Sequence, residues 1–222
     1  MKPTRAAWLF AAGLAWLVLR AILVQSVPAL RTEQMAQDGG SRLIFPLLSV
    51  AASATAPLFF FSFLCQHSFL NRRLFRAVTV VTATASLLSF ALASLALVAA
   101  VRGGILAESP IISSAPWLYH AIPLFFVGSV VVFLVFFVRQ SGCRGGLRRA
   151  AAAGAIGTTV SLMMIAGWVI FSRLEGALPW LPSASQSLFA KILGLAAAAS
   201  LLWFLETFAV SYDDQVSASE GR

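Results

Sequence analysis

Four ionisable side chains fall within stretches that otherwise suit lipid, and they have the best claim to chemistry: Arg20, His120, Lys191 and Glu206. A charge at the centre of a membrane span costs about 2.5–3.5 kcal/mol, so such residues pair, snorkel to the surface or serve a function. Arg20 is expected about 21 Å into the first span, and Lys191 about one turn below the outer surface of the last. With His120 at a similar outer depth, the three would form a cationic site that attracts anions. Snorkelling is the plainer role for Arg20 and Lys191. Glu206 falls near the inner end of the last span. There it can pair with Arg72, Arg73, Arg76, Arg148 or Arg149, or act as a proton-coupling carboxylate.

Other chemistry is hard to build from these residues. There is no His-Glu-x-x-His, no Gly-x-Ser-x-Gly, no pair of aspartates within a span and no glycine-rich phosphate loop. Cys65, His67 and Cys143 offer too few ligands for a zinc site, and both cysteines fall on the expected reducing side. His67 and His120 belong to opposite ends of their spans, about a membrane thickness apart, so they cannot ligate one haem together. No catalytic, cofactor-binding or metal-ligating residue is assigned, and the chain is expected not to be an enzyme.

The elements that position these residues follow from hydropathy. Of the 222 residues, 59% are hydrophobic and 11% charged, against about 25% charged in a soluble domain. Mean hydropathy is +0.88. Six apolar windows, about 6–30, 43–66, 77–101, 117–138, 150–172 and 188–211, each approach or exceed the roughly 20 residues that cross a bilayer. The second to fifth contain no charged side chain. The expected fold is all-α: a polytopic transmembrane helix bundle of six spans forming a single integral membrane domain, followed by a short acidic tail at 212–222.

Charge sets the orientation. Lys2/Arg5, Arg72/Arg73/Arg76 and Arg139/Arg144/Arg148/Arg149 fill alternate gaps, and the gaps between them, 31–42, 102–116 and 173–187, sum to zero. Cytoplasmic loops collect Lys and Arg, which predicts both termini inside. Trp117, Tyr119, Trp168 and Trp180 then fall toward the outer headgroups, with Pro179-Trp180-Leu181-Pro182 on the surface. The net charge of +8 flanks spans and does not interleave with aromatics, so anionic lipid headgroups are its expected partner and nucleic acid is not. The expected location is a cell membrane, the inner membrane of a bacterium. A signal peptide cut near Val27-Pro28-Ala29 is the rival reading of the N-terminus. The length of the run, Arg20 within it and Pro28 beside the cut argue against cleavage.

Small and hydroxyl residues recur at helical spacing in Ser49/Ala52/Ser53/Ala56, Thr79/Thr82/Ser86/Ser89, Gly154/Gly157/Thr158/Ser161 and Gly194/Ala197/Ala198. Such narrow faces let helix backbones approach in lipid, so these four helices are expected to pack together. Pro46, Pro57 and Pro123 interrupt helix hydrogen bonding, and Pro57, near mid-membrane, is the candidate hinge. Arg5-Ala6, Arg76-Ala77 and Arg149-Ala150 each open an outward span, a pattern the charge rule produces without internal duplication. Ala7/Ala11/Ala15 is similar to the alanine pattern on the first helix of six-span substrate-binding components of energy-coupling-factor transporters. That likeness is confined to three residues, identifies no family and implies only a docking stripe for a partner subunit. The expected function is that of a non-catalytic component of a larger assembly or homo-oligomer, with a small-solute or anion permease second and a membrane-embedded enzyme third.

Overall fold

The computed structural model describes residues 1–26, 41–65, 73–102, 110–115, 117–140, 145–174 and 188–220. These form α1 (Pro3–Ser26), α2 (Ser41–Leu64), α3 (Arg73–Val101), α4 (Pro110–Ser114), α5 (Leu118–Gln140), α6 (Gly146–Leu174) and α7 (Leu188–Glu220), with no strand among the described residues. Five stretches are long and apolar enough to cross a membrane: Pro46–Leu64, Arg73–Val101, Leu118–Arg139, Gly146–Gly167 and Ile192–Ser211. Helix is the form expected there, because lipid offers no partner for backbone N–H and C=O groups and a helix satisfies them within itself.

The helices overrun the apolar windows at their basic ends. Arg73 and Arg76 lie in the first turn of α3, Arg148 and Arg149 in that of α6, and α7 continues through most of the acidic tail to Glu220. Hydropathy marks where a helix is in hydrocarbon, whereas arginine is itself a good helix former beyond it. Gly145, at φ +65, supplies the left-handed step that opens α6, and its carbonyl accepts the Arg149 N–H at 3.3 Å. The expected cleavage point near Val27, the Trp180 loop, His67, Arg72, Cys143 and Arg144 lie outside the described residues.

The six long helices pack in a closed ring. Each one packs on its neighbours in sequence, α1 on α2, α2 on α3, α3 on α5, α5 on α6 and α6 on α7, and α1 returns to α7 to close the circuit. Successive members run up and down, which brings Arg5, Arg73, Arg76, Arg139, Arg148 and Arg149 to one end of the ring, all exposed. This is the basic end.

A phenylalanine core fills the ring at that end. Phe10, Phe59, Phe60, Phe63, Phe75, Phe133, Phe137, Phe204 and Phe208 come from five helices, and α6 completes the cluster with Leu147, Ala150 and Ala151. Edge-to-face contacts join helices across the core, Phe60 with Phe133 at 5.2 Å and Phe59 with Phe208 and Phe137 with Phe204 at 5.4 Å. Each such pair contributes about 0.5–1.5 kcal/mol beyond its buried area.

Above this core the seams are made of small residues. Gly13 faces Thr55 and the Ala52 carbonyl on α2, while Gly157 faces Ser200 and the Ala197 Cα on α7. Thr82 shares its hydroxyl proton between the Val78 carbonyl on its own helix at 2.9 Å and, across the α3–α5 seam, the Ser129 carbonyl at 3.1 Å. The small-residue faces are therefore turned inward, and much of the outer surface is Leu, Val and Ile. Ala7 is fully buried, Ala11 half-buried and only Ala15 exposed, so the alanine stripe does not present one outward docking face.

Candidate functional site

A cavity of about 190 Å³ lies at the centre of the ring. Every long helix contributes to its wall: Leu14 and Leu17 from α1, Ala52 and Ser53 from α2, Ser86 and Ser89 from α3, Phe126 and Val127 from α5, Thr158 and Ser161 from α6, Ala197, Ala198 and Leu201 from α7. Phe10, Ala56 and Val130 belong both to this wall and to the phenylalanine core, so the core is the cavity's floor. The space exists because the facing side chains at this level are small; at the floor, phenylalanines on the same helices reach the axis.

Most hydroxyls in the wall are already satisfied by their own helices. Ser53 donates to the Ser49 carbonyl at 2.6 Å, Ser86 to that of Ala83 at 2.7 Å and Thr158 to that of Gly154 at 2.7 Å. Such back-bonding is the usual resort of Ser and Thr in an apolar helix. Ser89 and Ser161 make no hydrogen bond to any described group and remain available to a ligand. Pro57 is buried and has no N–H, so the Ser53 carbonyl lacks its usual donor four residues on. α2 nevertheless runs unbroken from Ser41 to Leu64 through Pro46 and Pro57. Chemically the cavity suits an apolar body with a few hydrogen-bonding positions, since no ionisable side chain lines it among the described residues.

Of the ionisable residues singled out from sequence, Arg20 lies on α1, His120 on α5, and Lys191 and Glu206 on α7. Arg20 is half-buried, and its guanidinium Nη1 donates to Ser49 Oγ at 2.6 Å, tying α1 to α2 at the end away from the basic clusters. His120 sits in the first turn of α5 with its ring edge-on to Tyr119 at 5.2 Å. α1 packs on α2 and α7, and α5 on α3 and α6, so Arg20 and His120 belong to different sectors of the ring. Lys191 lies in the first turn of α7, and its side chain is outside the described residues, as is that of Trp168. Glu206 is exposed on the outside of α7 between buried Leu205 and Phe208, and among the described residues it forms no ion pair.

Sequence reasoning missed the phenylalanine core. The signal was present: Phe59/Phe60/Phe63, Phe133/Phe137 and Phe204/Phe208 each recur at helical spacing toward the basic end of a span. The small-residue faces were visible, but not that they surround a space. The chain matches no protein-family model, no curated protein and no solved structure to which it was compared.

Proposed function

We propose that this chain is a solute-binding membrane protein of six spans, with both termini cytoplasmic, that holds a small, largely apolar molecule within its helical ring without transforming it. The central cavity carries this reading: its wall is drawn from all six long helices and offers shape and two available hydroxyls but, among the described residues, no nucleophile paired with a base. For α1 as the sixth span, the support is its place in the ring. At 24 residues it is about 36 Å long, and it packs between α2 and α7, both of which contain spans long enough to cross. The single basic end supports the orientation, with anionic headgroups of the cell membrane as its partner.

The test is equilibrium dialysis of benzyl alcohol, a neutral apolar probe, against the protein in lipid nanodiscs, with empty nanodiscs subtracting partition into lipid. Saturable binding of one molecule per chain is expected. Ala198→Phe, which fills the cavity, should abolish it, while Val210→Phe on the exposed face of α7 should not. Binding that never saturates, or that survives Ala198→Phe in a folded protein, would remove the basis of the proposal.

A further inference from the structure

We infer that the molecule held in the ring is a small carboxylic acid, with its apolar body in the cavity and its carboxylate on Arg20. The inference rests on the proposed binding role and adds the ligand's charge and size. It starts from register. Leu17 lines the cavity, and Arg20 is three residues further along α1, on the same face and about 4.5 Å higher. On α2, which runs the opposite way, Ala52 and Ser53 line the cavity, and Ser49 is three and four residues above them. The Arg20–Ser49 hydrogen bond therefore spans the α1–α2 seam one turn above the cavity, at the end opposite its phenylalanine floor.

This contact does more than anchor a long side chain. A guanidinium has five N–H donors in a planar fork that matches a carboxylate. Ser49 Oγ takes one of them, and Arg20 makes no other hydrogen bond or ion pair to a described group. Ser49 is buried and Arg20 half-buried, so the hydrogen bond holds the cation at the cavity's edge against the pull of the lipid surface. Among the described residues, the result is one fixed positive group above an apolar chamber with two hydroxyls, Ser89 and Ser161, in its wall. Only an anionic head joined to an apolar body uses both parts.

Size narrows the class. An apolar cavity of about 150 Å³ accommodates benzene. At about 190 Å³ this one has room for a body of similar size and little more. An aromatic or short aliphatic acid fits; a long acyl chain exceeds the space. The same head-and-tail chemistry occurs in free small acids and in membrane fatty acids, and chain length separates the two sources.

The experiment compares benzoate with its neutral counterpart benzyl alcohol on the whole protein in nanodiscs, using dodecanoate as the membrane-derived alternative. Benzoate should bind at least about tenfold more tightly than benzyl alcohol, as a charge-assisted hydrogen bond at a half-buried site implies. Arg20→Gln should bring the two probes to equal affinity, and Arg20→Lys, which keeps the charge but loses the fork, should retain part of the preference. Equal binding of the two probes to the natural protein, or a preference that survives Arg20→Gln, overturns the assignment while leaving the cavity's binding role intact. If neither probe saturates, the binding role fails with it. Dodecanoate binding more tightly than benzoate, and insensitive to Ala198→Phe, overturns the small-acid assignment in favour of a lipid.

Discussion

Gly157→Ala tests the closest seam of the ring. A Cβ at this position would collide with Ser200 Oγ and lie 3.0 Å from Ser200 Cβ and 3.1 Å from the Ala197 Cα. Ser200 can turn aside only by giving up its 2.7 Å hydrogen bond to the Ala197 carbonyl, and the Cα belongs to the α7 backbone and cannot turn at all. α7 must therefore retreat by a few tenths of an ångström. Overpacking of this kind costs about 1–3 kcal/mol, and the displaced hydrogen bond adds about 0.6 kcal/mol. Gly167→Ala on the same helix is the control, because its Cβ meets nothing within 4 Å. Both changes gain the same helix propensity, so that contribution cancels. The two variants should differ by about 2–3 kcal/mol in equilibrium unfolding from mixed micelles with SDS, followed by tryptophan fluorescence. Ser200→Gly in the Gly157→Ala background removes both Ser200 contacts and should recover about half of the loss. If the two alanine variants unfold within about 0.5 kcal/mol of each other, α6 and α7 do not approach this closely and the ring is looser than described.

Four further outcomes are expected. Thr82→Val keeps the shape of the side chain and removes the hydroxyl shared by the Val78 and Ser129 carbonyls, so the same unfolding assay should show a loss of about 0.6 kcal/mol, with about 1.7 as a ceiling. Phe133→Ala removes a ring that meets Phe60, Phe63, Phe75 and Phe137 and should cost about 3 kcal/mol. Phe125→Ala, on a side chain 48% exposed, should stay within about 0.5 kcal/mol. Cys65 is exposed at the basic end, so with Cys143→Ser in place a membrane-impermeant maleimide should label it only after the cells are permeabilised. Labelling of intact cells would reverse the proposed orientation.

How much was legible in the sequence differs from element to element. The second to fifth windows, about 43–66, 77–101, 117–138 and 150–172, overlap the spans of α2, α3, α5 and α6 because an uncharged apolar run of that length has few other stable forms. Their ends were less legible: Arg73, Arg148 and Arg149 look like loop residues to a hydropathy count, yet lie on helices. Arg20 stood out as a charge in a span, but its partner did not. Ser49 is one hydroxyl among many, and only the packing of α1 on α2 selects it.

By itself, then, the sequence determined that this is a helical membrane chain and which gaps collect its positive charge. Those properties depend on local composition and on segment lengths set by the bilayer. Tertiary structure decided which face of each helix turns inward, that α1 closes on α7, and that a cavity is left above a floor of phenylalanine. The physical reason is the solvent. In water, an apolar face marks the core; in lipid, both faces are apolar, and helices associate through packing rather than through the hydrophobic effect. Leu58 and Phe61 are as apolar as their neighbours Phe59 and Phe60, yet the first two face outward and the others are buried. Only the fit of whole helices around the ring separates them.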